Sequence, residues 1–128
     1  MTDAEYRRLA RFRYALRRFL HFSENAARRA GISPVQYQLL LFVRGFPEES
    51  PTIADLADRL QIAHQSAVGL VDRSVRGGLI VRRRDARDAR RVRVELTPRG
   101  ARILLRLVRA HSPEFDRLAA SLFRIRAR

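Results

Sequence analysis

Apolar residues recur at helical spacing along most of the chain and give way to strand-like alternation only between positions 79 and 96. Tyr6, Leu9, Phe12, Leu16, Phe19, Leu20 and Ala27 mark a first helix. Thr2 and Glu5 open it with capping-box spacing, and Gly31 ends it after about Arg29. Arg7, Arg8, Arg11, Arg17 and Arg18 populate the rest of this helix. So broad an apolar face predicts packing against a second subunit, although complete coverage within one chain fits the pattern equally well. Ser33, Pro34 and Gln36 start a second helix that carries Tyr37, Leu40, Leu41 and Val43 to about Arg44 and stops at Gly45. After a loop from Phe46 to Pro51, Thr52 and Asp55 open a short helix with Ile53, Leu56, Ala57 and Leu60 in register.

A tight connection, Gln61 to Ala63, leads to a helix from about His64 to Arg76 that Gly77 and Gly78 close. Its apolar face is Ala67, Leu70 and Val71, completed by position 74, which turns Gln65, Gly69, Asp72 and Arg76 to solvent. Two short helices joined by a tight turn form a helix-turn-helix signature. The runs Leu79 to Arg84 and Arg90 to Leu96 flank the polar segment Asp85 to Ala89 and predict a twisted β-hairpin. Thr97 and Pro98 cap a further helix with Ile103, Leu104, Leu107 and Val108. Ser112 and Pro113 cap a last one with Phe115, Leu118, Ala119, Leu122 and Phe123. The predicted class is a single domain over 1–128, mainly α with a small β-hairpin, without internal repeats.

Charge adds a partner to this outline. The chain is 46% hydrophobic, enough to fold, yet carries a formal net charge of +14. That excess points to a polyanion, with nucleic acid ahead of membrane or acidic protein. All 27 basic residues are arginine. A GC-rich genome would give the same bias, so clustering carries more weight than the missing lysines. The hairpin region is such a cluster, with arginines at 82, 83, 84, 87, 90, 91, 93 and 99 against Asp85, Asp88 and Glu95. Without cysteine, disulfides and thiolate metal sites are excluded, and neither a cofactor nor a metal is expected. No apolar run has membrane-spanning or signal-core length, which predicts a cytoplasmic protein. The histidines at 21, 64 and 111 are dispersed, and no nucleophile, base or glycine-rich phosphate loop gives an enzyme reading support.

The stretch LADRLQIAHQSAVGLVDRSVRGGLIVRRRDARDARRVRVELTPRG strongly resembles the winged helix-turn-helix of the MarR family of bacterial transcriptional regulators. The match rests on Leu56-Ala57, Val71-Asp72-Arg73, Gly78-Leu79-Ile80, Asp85-x-x-Asp88-x-Arg90 and Leu96-Thr97-x-x-Gly100. The resemblance implies a homodimer built by N- and C-terminal dimerisation helices, about 2–30 and 98–128, around a winged helix-turn-helix at about 52–97. It also implies a recognition helix in the major groove, a wing toward the minor groove, and an aromatic or phenolic effector between the dimer helices and the DNA-binding lobe. Three departures stand out. Ser74 occupies a position that is usually leucine, so that core contact is weaker or passes to Val75. Ala89 replaces the usual basic or small residue, at little consequence. The chain ends soon after Phe123, which implies a short C-terminal dimer helix.

Gln65 is the best candidate base reader, since glutamine bonds bidentately to adenine. Ser66 suits a helix cap or phosphate contact, and His64 a backbone or base contact. Gly69 allows close approach to the groove, or answers a packing need. Arg73 and Arg76 suit phosphate, with Asp72 and Arg76 able to pair across one turn. Arg87, at the hairpin tip, is the candidate for the minor groove. Asp85, Asp88 and Arg90 fit a structural role in the tip, orienting Arg87. About half of Arg82, Arg84, Arg91 and Arg93 should reach phosphate, Arg84 and Arg91 being the candidates. Tyr14, Phe19, Phe22, Tyr37 and Phe42 are candidates for an effector cleft, although aromatics at helical spacing more often form core. The function expected is a regulator that binds a pseudo-palindromic site on double-stranded DNA as a homodimer, represses by occupancy and is relieved by a small aromatic effector. The alternative is a sequence-independent architectural nucleic-acid binder or a winged-helix protein-interaction module.

Overall fold

The capping residues do most to set where the elements begin. Thr2, Ser33 and Thr52 each accept a hydrogen bond from the backbone N–H three residues on, and Glu5, Gln36 and Asp55 reciprocate. They open α1 (Asp3–Arg29), α2 (Pro34–Arg44) and α3 (Ile53–Leu60). The chain continues as α4 (His64–Arg76), β1 (Ile80–Arg84), β2 (Val92–Leu96) and α5 (Pro98–Arg126). This computed structural model describes the backbone of residues 1–126 and the side chains of residues 1–121. Among the described residues, no helix is long and apolar enough to cross a membrane.

The strands pair antiparallel, from Ile80 opposite Leu96 to Arg84 opposite Val92. A short third edge joins them, because the Val94 N–H donates to the Pro51 carbonyl at 2.9 Å and Thr52 bridges Arg93. This edge anchors the hairpin to the start of α3. At its other end Thr97 Oγ1 donates to the Gly78 carbonyl at 2.6 Å and accepts from the Gly100 N–H at 3.0 Å. A Cβ at Gly100 would run into the Leu79 carbonyl, so only glycine lets α5 start this close to the hairpin. The Leu-Thr-x-x-Gly pattern is thus a splice between wing and last helix.

Leu39, Leu40, Leu56, Leu70, Val71, Leu79, Ile80 and Val94 form the buried centre, which holds α2, α3, α4 and the hairpin together. Ser74 lies fully buried in the same face of α4 and accepts from Gln36 Nε2 at 3.4 Å. The expected weak spot is therefore closed by a hydrogen bond, with Val75 packed partly buried beside it.

Two expectations need correction at the C-terminus. The segments after Thr97 and after Ser112 are not separate helices, and the last helix is not short: α5 runs unbroken for 29 residues with Pro113 inside it. A proline removes one backbone hydrogen bond and normally breaks a helix. Here the preceding turn is fixed by packing. His111 is buried, with Nδ1 2.6 Å from the Leu107 carbonyl and Nε2 2.8 Å from Ser23 Oγ of α1. Its ring stacks on Tyr37 of α2 at 4.6 Å and meets the edges of Phe22 and Phe19. The side chains of Leu122 and Phe123, expected on the apolar face, lie outside the described residues.

Candidate nucleic-acid interface

The turn before α4 is forced by Gln61, which ends α3 at φ 55°, a left-handed conformation steadied by its own side chain donating to the Asp58 carbonyl at 2.7 Å. Ile62 and Ala63 then lead straight into α4. Ala63 supplies no side-chain cap. The other four helices each begin on a serine or threonine hydroxyl that accepts a backbone N–H, so α4 alone starts with its amide groups unmet by side chains. Ser66, considered above as a cap, lies inside the helix. Such a start attracts anions through its free N–H groups and the helix dipole. His64, Gln65 and Ser66 are all exposed on this turn, and Arg73 and Arg76 are exposed further along. Gly69 is half-buried, and a Cβ there would meet only the end of the Arg73 side chain at 3.4 Å. Packing within the chain does not require glycine at this position.

The hairpin is held differently. Asp85 is buried; its Oδ1 accepts from the Arg87 N–H at 2.8 Å and its Oδ2 from Arg93 Nε at 2.8 Å. These donors, the backbone one first, hold its carboxyl below the ordinary aspartate value. Asp88 accepts from the Arg90 side chain at 3.1 Å and the Arg90 N–H at 3.0 Å, which lowers its pKa in the same way. Asp85, Asp88 and Arg90 thus form their hydrogen bonds within the hairpin and its tip. Arg87 lies at the tip with its side chain largely exposed, paired with Glu49 of the loop before α3 and 3.8 Å from Asp85. The Glu49 hydrogen bond raises the Arg87 pKa further, so the guanidinium stays charged at any ordinary pH.

Arg93 is only 17% exposed; it donates to Asp85 and, at 2.5 Å, to the Ser50 carbonyl, so it is an internal strut of the wing. Arg82 pairs with Asp72 of α4, which takes the partner expected for Arg76. Arg83 pairs with Glu95 at 2.8 Å. Arg84 and Arg91 are exposed and have no acidic partner among the described residues. Arg91 lines an open cleft of about 580 Å³ with His64, Arg59 and Arg90, which brings the start of α4 and the wing onto one surface.

Glu49 and the strut role of Arg93 were not found in the sequence. Glu49 lies 38 residues from Arg87 with no local motif to link them. The aromatic candidates separate. Phe19, Phe22 and Tyr37 close around His111, Phe42 packs against the core, and Tyr14 is exposed on the outer side of α1. Tyr14 and Phe22 alone share an open groove, of about 660 Å³, with Arg17, Arg18, His21 and Glu114.

A short helix pair with an uncapped, exposed second helix, followed by a hairpin fastened beside it, defines a winged helix-turn-helix protein with terminal helices set apart. The chain belongs to the MarR family. A MarR family profile matches residues 30–91. A solved MarR family transcription regulator is 30% identical over 92% of this chain and 75% of its own, with a TM-score of 0.74. A MarR family protein from Bacillus stearothermophilus is 24% identical, with 92% and 81% covered and a TM-score of 0.78. The DNA complex of MepR from Staphylococcus aureus is 23% identical, with 96% and 83% covered and a TM-score of 0.67. No curated protein gives a match. Family membership makes the chain a transcription regulator and not an enzyme.

Proposed function

We propose that the protein is a homodimeric, cytoplasmic repressor that reads a pseudo-palindromic DNA site with α4 and steadies the duplex with its wing. The observation that carries this is the uncapped, exposed start of α4, where His64, Gln65 and Ser66 stand beside a rigidly fastened hairpin. In this arrangement Gln65 reads a base edge. His64, Ser66, Arg73, Arg76, Arg84 and Arg91 hold phosphate, and Arg87 enters the minor groove. Gly69 lets the helix sit deep in the major groove. Asp85, Asp88 and Arg90 shape the tip. The second subunit packs on the exposed apolar residues of α1 and α5, including Leu9, Leu105, Val108 and Phe115, which are 40–58% exposed in the single chain. A small aromatic effector would suit the groove at Tyr14 and Phe22, where Arg17, Arg18 and Arg29 stand with Glu24 and Glu114 around the rings.

Selection of bound sequences from random duplex DNA tests the reading. The expected result is a palindrome with half-sites about 10 base pairs apart, preferred over random DNA by about 1,000-fold. Enrichment of no sequence would favour an architectural binder, and enrichment of a lone half-site would remove the homodimer.

A further inference from the structure

The excess charge of the chain is not confined to the DNA-reading elements, α4 and the wing, which over residues 64–96 hold nine arginines against four acids. Residues 30–97 hold eleven arginines against eight acids, whereas α1 holds eight against three and α5 seven against two. Most of the net +14 therefore belongs to the two terminal helices. Within α5, Arg99, Arg102, Arg106 and Arg109 are all exposed, and none has an acidic partner among the described residues. At 3.6 residues per turn they fall within an arc of about 80° on the helix surface, a ladder about 15 Å long. Its lower rung, Arg99, lies against Gly78 at the base of the wing, with the Arg99 Cδ 3.7 Å from where a Gly78 Cβ would stand. From there the ladder continues along α5 toward His111, which packs on α1 and α2.

We propose that this ladder is a second, sequence-independent binding surface for duplex DNA, separate from α4 and the wing. Four like charges on one face repel one another and destabilise an isolated helix slightly, so a surface of this kind gains from a polyanion. A duplex lying along it presents about nine phosphates over the same length, enough to engage every rung. Arginine suits that contact, since its fork pairs bidentately with phosphate oxygens. A lipid surface fits less well. Membrane-binding helices set cations beside an apolar strip, and the exposed apolar residues of α5, Leu105, Val108 and Phe115, lie on the neighbouring arc that the second subunit covers in the dimer. The inference rests on the proposed DNA-binding function for its partner class. The phosphates come from the flank of the operator duplex or from a second duplex, and the two differ in length dependence.

The test uses the full chain with Arg102, Arg106 and Arg109 changed together to Gln, and a matching triple Lys variant that keeps the charge. Affinity is measured against salt for a short duplex that spans only the selected half-sites and for a long duplex of unrelated sequence. For the long duplex, the Gln variant should lose up to nearly 3 from the slope of log K against log salt, about 0.9 for each phosphate contact removed. The Lys variant should keep the slope. Both should bind the short operator as the parent does, which also shows that they fold. Capture of a second labelled duplex by protein held on the short operator assigns the ladder to a second duplex; no capture with the slope change retained assigns it to the operator flank. Equal slopes for the parent and the Gln variant overturn the proposal, as does loss of binding to phosphatidylglycerol vesicles without any change in duplex slope. A parent that shows no preference for the selected operator sinks the repressor reading while leaving the slope comparison intact.

Discussion

Arg93 in the wing is mostly buried, its guanidinium shared between Asp85 and the Ser50 carbonyl, whereas Arg106 on α5 is exposed and meets no acid among the described residues. The same contrast runs through the two lobes. Around the hairpin, Arg82, Arg83, Arg87, Arg90 and Arg93 are each matched to a carboxylate, while the described ion pairs of α1 and α5 reduce to Arg117 with Glu114. A count of arginines thus finds the wing, but mistakes how it works. Much of its positive charge shapes the hairpin, and only what is left unpaired, chiefly Arg84 and Arg91, is free for phosphate. The terminal lobe has little acid and keeps nearly all of its charge available.

The contrast breaks most sharply at its two defining residues. Arg93→Met should destabilise the fold by roughly 1–3 kcal/mol, since it leaves the buried Asp85 carboxylate short of a donor, while Arg106→Met should change stability by less than about 0.5 kcal/mol. Urea unfolding of both variants measures this, and equal effects would mean that the wing network is decorative. Gly69→Ala should act in opposite directions on two readouts. Alanine favours the interior of α4 by about 0.5–1 kcal/mol and meets nothing but a movable Arg73, so the melting temperature should rise. Operator affinity should fall if the helix sits deep in the groove. A rise in both would show that Gly69 has no part in the interface.

Acid separates the lobes in another way. The folded values of Asp85 and Asp88 lie below ordinary aspartate, so their contribution to the wing is complete above about pH 4 and lost as pH falls through the folded values. The backbone amides of Arg87 and Arg90, which donate to these carboxylates, should shift in that window when followed by NMR. Amides of α5 between Arg99 and Arg109 should not. Movement of both sets together would indicate global acid unfolding instead.

Local rules made the helix starts, the hairpin and the fold class legible, because a capping box, a glycine stop or an apolar period is contained in a few neighbouring residues. They failed where the decisive partner is distant. Pro113 reads as a helix boundary until His111 is seen locked to Ser23 across the lobe, and Ser74 reads as a weakness until Gln36 reaches it. The aromatics of α1 fit core more readily than a cleft lining, and Phe19 and Phe22 pack against that same histidine. For the interface, the polarity of α4 disclosed which residues face outward. Which arginines are spent on internal pairs was invisible, since Asp72 and Glu49 approach the hairpin from other elements.

The smallest effect is expected at Glu49, and it sharpens the comparison most finely. Glu49 and Arg87 are both largely exposed, so their pairing stabilises the fold little. If Arg87 enters a groove as proposed, it must first exchange this carboxylate for the duplex, and Glu49, with Arg93 Nε 3.9 Å away, then faces phosphate. Both terms oppose binding. Glu49→Gln should therefore raise operator affinity about two- to fivefold at low salt, with the gain shrinking as salt screens the pair. In an Arg87→Ala background the part of the gain that comes from releasing Arg87 should vanish, leaving only the repulsion of phosphate. A double-mutant cycle separates the two terms. If Glu49→Gln gains as much without Arg87 as with it, Glu49 acts merely as a misplaced negative charge and the tether at the wing tip has no role in binding.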